Sequence, residues 1–240
     1  MDLYNLKEFS RLSEKECIEI QNDLKKKVFQ QDIISLNDIT TVGGVDLAYW
    51  QKDSMEYAVC CIVVIDLENN TIIEKKHSSG IVEFPYIPSC LAFRELPLIV
   101  ETHSKLSVHP DVFMFDGNGI LHTRRMGLAT HASFYINCPT LGVAKKYFKV
   151  SDEKFVSPPN VAGSFSDIIH NGEVIGRAVR THKDVRPVFI SVGNYMDINT
   201  VTELVLELTG KESHIPLPTR YADIETHIMR KQLQGSPQIK

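Results

Sequence analysis

Residues 110–131 read PDVFMFDGNGILHTRRMGLATH, and this stretch contains one strand, one loop and the start of one helix. The apolar run VFMF follows a proline and ends at Asp116, which predicts a buried strand with a carboxylate at its tip. The glycines behind it let the backbone turn sharply and let a ligand come close. Arg124 and Arg125 follow, and a carboxylate beside basic residues suits a hard cation together with phosphate. The alternative is an ordinary loop in which Asp116 only caps a turn.

Length and composition are those of an ordinary globular protein. We expect one domain over residues 1–240, with a disordered polar tail at roughly 234–240. The net charge of −4 excludes a uniformly basic nucleic-acid binder, so any nucleic-acid site must be a local patch. The five cysteines lack zinc-finger spacing and lie mostly in apolar contexts, which indicates buried thiols in a reducing compartment. With no targeting signal and no stretch able to span a bilayer, we expect a cytoplasmic monomer with no membrane partner.

The order of predicted elements defines the fold class. After an amphipathic helix that starts at a capping box, three strands joined by short turns predict an antiparallel meander. Two crossover units then add parallel strands, which gives the order β-β-β-α-β-α-β of an α/β, ribonuclease H-like mixed sheet with helices on both faces. The predicted strands are 41–49, 57–66, 71–76, 112–115, 140–144, 167–169, 173–179 and 188–192. The predicted later helices are 91–106, 128–135, 200–208 and 219–233.

Three acids fall on elements that this topology brings together. Asp46 lies in VGGVDLAY, in a central strand, where an unpaired carboxylate is costly to bury. The first and fourth strands of such a sheet are neighbours, so Asp46 should lie beside Asp116. Two adjacent carboxylates need a cation between them, and Mg²⁺ accepts carboxylates, water and phosphate. Glu95, on the following helix, could complete a two-metal site; its alternative is a salt bridge with Arg94.

Two further features could act on a phosphate or a base. Lys145 and Lys146 end the strand TLGVA at the edge where Asp116 emerges, and a lysine there can bind the scissile phosphate. Each could equally be a solvated strand end. In PYIP, two prolines stiffen the loop that presents Tyr86 and Ile87, and an aromatic there could fill a base stack when a nucleotide flips out. An ordered loop packed on the core is the ordinary alternative.

Five segments together resemble the endonuclease V family, whose members repair deoxyinosine in DNA. These segments are VGGVDLAYW, PYIPSCLAFRELPLI, PDVFMFDGNGILHTRRMGLATH, PTLGVAKK and PLPTRYAD, in this order over nearly the whole chain. The resemblance implies a ribonuclease H-like nuclease that needs Mg²⁺, with Mn²⁺ able to substitute. It implies hydrolysis of the second phosphodiester bond 3′ to a deaminated purine, which leaves a nick.

The resemblance also implies roles for residues. Asp46, Asp116 and Glu95 would hold the metal, and Lys145 would contact the phosphate near the cut. Tyr86 would be the wedge. The substrate-binding set is completed by the pocket and motif positions Ile87, Pro88, Ser89, Gly117, His122, Gly127 and His131, the two histidines acting on the substrate or supporting its neighbours.

Two positions depart from the family pattern or vary within it. Ser89 stands where the family motif PYxxG has glycine, so a hydroxymethyl group narrows the base pocket or adds a hydrogen bond. Asp223, in RYAD, lies where members carry His or Asp. We expect this fourth carboxylate to act in catalysis by helping to hold a second ion or its waters; its alternative is an acid in the first turn of a helix.

Three other functions compete with DNA repair. An endoribonuclease for inosine-containing RNA keeps the chemistry and changes the polymer. A binder of deaminated sites without turnover is disfavoured by the three clustered acids. A phosphatase of small molecules is disfavoured by PYIP and the basic segments. For a nucleic-acid substrate we expect a basic track formed by Arg124, Arg125, Lys145, Lys146, Arg177 and Arg180.

Overall fold

The computed structural model describes residues 4–150 and 155–235. Two short 3₁₀ helices, Leu6–Arg11 and Leu36–Asp38, flank the first α-helix. The helices are α1 (Glu14–Lys25), α2 (Leu91–His103), α3 (Leu128–Ile136), α4 (Ile198–Glu207) and α5 (Leu217–Gly235). The strands are β1 (Thr41–Lys52), β2 (Met55–Asp66), β3 (Thr71–Ile81), β4 (Val112–Asp116), β5 (Thr140–Ala144), β6 (Phe165–His170), β7 (Glu173–Val179) and β8 (Val188–Asn194).

All these strands form one mixed sheet in the order β3-β2-β1-β4-β5-β8-β7-β6. Strands β1, β2 and β3 are antiparallel, and β4 and β5 add in parallel beside β1. The remaining strands pair antiparallel, with β8 against β5 and β7. The ribonuclease H-like arrangement is therefore confirmed, including the predicted contact between the first and fourth strands.

The core has two layers because side chains of a strand alternate between the two faces of a sheet. Phe113 and Phe115 pack on one face with α1, α2 and α3. Val112 and Met114 pack on the other face with α4 and α5. Helices on both faces are thus confirmed, and the alternation places Asp116 on the face that α5 covers.

Most element bounds lie within a few residues of the prediction. The capping box of α1 is formed by Ser13 and Glu16 as expected. Strand β3 continues to Ile81, five residues beyond the predicted end at residue 76. Helix α5 continues through Gly235, so residues 234 and 235, predicted as tail, are helical. Residues 236–240 of that tail lie outside the described residues. Over residues 4–150 and 155–235, we find no helix both long and apolar enough to cross a membrane.

Trp50, the chain's single tryptophan, lies at the interface between β1 and α5. Its ring stacks on Tyr57 at 5.6 Å between centroids and is buried against a cluster that Met229 and Leu233 of α5 join. The C-terminal half of α5 therefore packs against strands β1 and β2 through aromatic and aliphatic side chains.

Gly44 sets how closely α5 approaches β1. A Cβ atom built on Gly44 would lie 2.0 Å from the carbonyl oxygen of Pro218, which is backbone and cannot turn aside. The start of α5 can therefore lie against β1 only because residue 44 has no side chain.

We expect Gly44→Ala to destabilise the fold by about 1–3 kcal/mol, the usual cost of overpacking a close contact. Urea denaturation followed by circular dichroism measures it. Gly80→Ala is the matched control, since a Cβ on this strand glycine would meet Leu98 Cδ2 at an ordinary 3.6 Å. Equal stability of the two variants would show that α5 does not depend on the close approach.

Candidate active site

Asp46 and Asp116 emerge side by side where two parallel strands stop pairing. The ladder between β1 and β4 ends at Val45 and Phe115, so the two acids are the next residues on each strand. Both follow the alternation that places them on the face covered by α5. Thr226 of that helix donates a 2.9 Å hydrogen bond to Asp46 Oδ2.

Lys145 and Asp223 complete this face of the site. The Lys145 ammonium lies 2.6 Å from Asp116 Oδ2 and 3.8 Å from Asp223 Oδ1. Burial opposes the lysine charge, but the hydrogen bond from Lys145 to Asp116 and the surrounding carboxylates outweigh that effect and raise its pKa. One cation thus bridges an acid of β4 and an acid of α5.

Glu95 approaches from the opposite face, on α2. Its side chain is buried and accepts a 2.6 Å hydrogen bond from the Tyr49 hydroxyl. Arg94, the alternative partner, instead pairs with Glu56 and donates to the carbonyl of Phe84. The salt bridge that would have made Glu95 structural is therefore not formed.

Burial and neighbouring carboxylates raise the pKa values of Asp46 and Glu95. Burial and the charges of Asp116 and Asp223 raise the pKa of Asp46 to about 7, against the lowering effect of the Thr226 hydrogen bond. Burial, together with the charges of Asp46 and Asp116, raises the pKa of Glu95 to about 7 although Tyr49 donates to it. These carboxylates share a poorly hydrated region in which each additional negative charge is costly.

A hard divalent cation suits this donor set, since carboxylate oxygens are ligands that Mg²⁺ prefers and its charge would relieve the repulsion. Across the two described ranges, however, no three side chains of His, Cys, Asp or Glu form a group that could hold one ion. Lys145 lies against Asp116 and Glu95 is engaged by Tyr49. The three predicted metal ligands, Asp46, Asp116 and Glu95, therefore interact electrostatically. Their side chains would have to rotate before they could coordinate one ion.

The predicted wedge stands out from the surface. Tyr86 is 72% exposed, next to the half-buried Ile87 and the exposed Pro88. Ser89 is half-buried and has a φ of 63°, in the left-handed region where glycine is favoured. Glycine would adopt this backbone conformation without strain, whereas serine does not.

The other predicted binding residues lie in the loop that follows β4 or on α3 behind it. Gly117 begins this loop, and Gly127 closes it, its amide donating to the carbonyl of Gly119 at 3.0 Å. His122 stacks on Phe148, and burial with the nearby Arg124 charge lowers its pKa to about 4. His131 is fully buried against Phe93, and burial lowers its pKa to about 3.

This placement separates the two histidines. His122 lies in the loop, whereas His131 has no exposed surface, so of its two predicted roles only support of neighbouring side chains fits this arrangement. The sequence reasoning did not identify Tyr49 and Thr226 as partners of the acids. A signal existed for Tyr49. It follows Asp46 by three residues on the same strand, so it faces the opposite side of the sheet, where α2 carries Glu95.

The basic track needs one correction. Arg177 is buried, with Nε 2.7 Å from Asp167 Oδ1 and Nη1 donating to Thr202. It holds β6, β7 and α4 together and does not face outward. Arg125 pairs with Glu173, and Arg180 donates to the carbonyls of Pro158 and Pro159. Lys145 and Lys146 are both exposed at the end of β5.

The site and the fold define a class of protein: a nuclease with a ribonuclease H-like sheet, which hydrolyses phosphodiester bonds. The family model of Endonuclease V matches residues 22–224, and the chain belongs to this family. It is 48% identical to Endonuclease V of Clostridium acetobutylicum over 233 residues, covering 97% of this chain and 100% of that one.

Solved structures agree with this assignment. The crystal structure of Endonuclease V from Bacillus subtilis superposes with a TM-score of 0.92 at 46% identity, covering 98% of this chain and 99% of that one. Endonuclease V of Ciona intestinalis has a TM-score of 0.79 at 28% identity, covering 91% of this chain and 98% of that one. That protein was solved in complex with a 24mer DNA containing an inosine followed by a ribo-adenosine.

The raised pKa of Asp46 predicts a pH-dependent cost to folding without divalent ions. Between its unfolded value near 4 and its folded value of about 7, the folded state binds more protons than the unfolded state. The contribution of Asp46 to stability therefore falls as pH rises through this window. The buried histidines titrate in the opposite sense, so the difference between matched variants is the appropriate readout.

We expect Asp46→Asn to gain about 1–3 kcal/mol over wild type between pH 4.5 and pH 8 in EDTA, because the amide does not ionise. Urea denaturation across this range measures the gain, with Asp53→Asn in the exposed turn after β1 as the control. A gap between Asp46→Asn and wild type that does not change with pH would show that Asp46 ionises freely.

Proposed function

We propose that this protein is a DNA repair endonuclease that binds deoxyinosine and hydrolyses the second phosphodiester bond 3′ to it. The observation that carries the proposal is the pair Asp46 and Asp116 at the end of the parallel ladder, with Lys145 between Asp116 and Asp223. The inosine-containing DNA bound by the Ciona relative supports the choice of substrate. The cytoplasmic location, the monomeric state and the single catalytic domain stay predictions.

Asp46, Asp116 and Glu95 would hold Mg²⁺, or Mn²⁺ in its place, and Asp223 would hold a second ion or its waters. When bound, the metal supplies Lewis-acid stabilisation and lowers the pKa of water. Lys145 would turn its ammonium from Asp116 toward the scissile phosphate, where a point charge stabilises the transition state.

The loop that presents Tyr86, residues 85–88, would recognise the flipped base; we call it the wedge loop. Inosine pairs weakly, so flipping it from the duplex costs less than flipping a normal base. Tyr86 is exposed enough to enter the gap in the stack. Ile87, Pro88, Ser89, Gly117 and Gly127 would line the pocket largely through backbone groups, while His122 and His131 would support its walls.

The first test is cleavage of an end-labelled duplex with one deoxyinosine, in Mg²⁺ or EDTA, by wild type and Asp116→Ala. We expect one Mg²⁺-dependent nick at the second bond 3′ to the lesion and a loss of rate of about 10²–10³-fold in the variant, the usual cost of removing a single electrostatic group. Mg²⁺ should raise the melting temperature of wild type at pH 8 but not that of Asp116→Ala. An uncut duplex that the protein still binds at the lesion would leave a binding role only.

Lys145→Met should lower kcat by about 10²-fold while the affinity for the duplex changes little, because the lysine acts at one phosphate. Lys146→Met is the matched control, an exposed neighbouring lysine on the same strand end. Single-turnover kinetics and anisotropy separate the two quantities. Equal effects of the two substitutions would mean that both lysines act only as surface charge.

One observation favours a second candidate, cleavage of inosine-containing RNA. The DNA in the Ciona complex carries a ribo-adenosine after the inosine. Matched strands with deoxyribose or ribose at the nucleotide 3′ to inosine decide between the candidates. A strong preference for ribose would make the protein an endoribonuclease with the same carboxylate site.

A further inference from the structure

Ser89 adopts a backbone conformation that serine disfavours. Its φ of 63° lies in the left-handed region, which glycine enters freely and serine does not. It is the third residue of a tight turn in which the Cys90 amide donates to the carbonyl of Ile87 at 3.0 Å. Some other interaction must hold the peptide of Ser89 in place.

Two side chains from distant segments donate hydrogen bonds to the Ser89 carbonyl. Gln21 Nε2 donates to it at 3.0 Å and Arg124 Nη2 donates to it at 2.8 Å. Gln21 is fully buried on α1, and its Oε1 accepts from Arg124 Nε. His122 also hydrogen-bonds the Ser89 backbone, which partly opposes the lowering of its pKa. We call Gln21 and Arg124 the Ser89 clamp.

The clamp ties the wedge loop to the loop that follows Asp116. The backbone amide of Arg124 donates to His122 Nδ1 at 3.2 Å, and Gln21 Nε2 also reaches the carbonyl of Met126 at 3.4 Å. Arg124 further contacts Cys90 Sγ at 3.6 Å, at the start of α2. Hydrogen bonds from a guanidinium are stronger than neutral ones and come from a rigid, planar fork. The wedge loop, residues 85–88, is thus fixed from α1 and from the loop that follows Asp116.

We propose that Gln21 and Arg124 are positioning residues for base recognition. By holding the Ser89 carbonyl, they stabilise the turn with a positive φ at Ser89 that presents Tyr86 and shapes the wall of the base pocket, and they offset the strain of serine in that conformation. The inference rests on the proposed function for its substrate. Neither residue needs to touch the flipped base.

The principal variant is Gln21→Leu, which removes both the donor and the acceptor and fills the buried position with a slightly shorter, apolar side chain. In Ca²⁺, anisotropy measures the affinity for duplexes with deoxyinosine and with deoxyadenosine at the same position. We expect the preference for deoxyinosine to fall about tenfold, the equivalent of roughly one lost hydrogen bond, with affinity for the undamaged duplex unchanged. Arg124→Lys, which keeps the charge but loses the fork, should act in the same direction.

Ser89→Gly provides the rescue. Glycine adopts a positive φ without the clamp, so it should restore most of the lost preference in the Gln21→Leu background. The same substitution in the wild-type background measures the direct effect of the hydroxymethyl group on the pocket, and the gain of preference should be larger in the Gln21→Leu background, because the clamp already holds the turn in wild type. This difference between backgrounds is what a purely structural role of Gln21 does not predict.

Thr202→Ala is the matched control for loss of stability. Thr202 lies on α4, away from the wedge loop, and its replacement removes a buried 2.9 Å hydrogen bond that Arg177 of β7 donates to it. Thr202→Ala should destabilise the protein and leave the preference for deoxyinosine intact. If Gln21→Leu also keeps the preference, or if Ser89→Gly gives no larger gain in that background than in wild type, the clamp proposal is wrong.

Hydrogen exchange of the DNA-free protein tests the clamp independently of the substrate. We expect peptides covering residues 84–93 to exchange about tenfold faster in Gln21→Leu than in wild type or Thr202→Ala. Unchanged exchange would overturn the clamp whatever the enzyme cuts. Faster exchange in a protein whose wild type does not prefer deoxyinosine would support the clamp and overturn the proposed substrate.

Discussion

The repulsion between Asp46 and Asp116 is the constraint on which the rest of the site depends. Parallel pairing of β1 and β4 brings both carboxylates to one end of the ladder, where burial makes each additional charge costly. The protein moderates this cost with a hydroxyl on Asp46, from Thr226, and an ammonium on Asp116, from Lys145. A site arranged in this way is poised to accept positive charge.

The elements around the carboxylates serve to keep them in place. Gly44 lets α5 come close enough for Thr226 to reach Asp46 and for Asp223 to lie near Lys145. From the other face, α2 brings Glu95 to Tyr49. The sheet therefore lies between two helices that each contribute an acid, so the spacing of the acids is set by helix packing on both sides.

The sequence predicted what depends on strand order and missed what depends on helix rotation. Adjacency of Asp46 and Asp116 follows once the first and fourth strands are neighbours, and apolar patterning is enough for that. The contacts of Tyr49 with Glu95 and of Thr226 with Asp46 depend on how α2 and α5 are turned. Arg177 looked like a surface base, but Asp167 and Thr202 hold it inside. The Ser89 clamp joins residues 68 positions apart, beyond any local pattern.

The packing of Trp50 gives the protein a built-in optical reporter. Because this is the chain's single tryptophan and it is buried between Tyr57 and the far end of α5, its emission is sensitive to whether that helix is seated. The same helix carries Asp223 and Thr226. Intrinsic fluorescence thus monitors the integrity of one wall of the active site without any label, and a shift of the emission to longer wavelength marks its detachment.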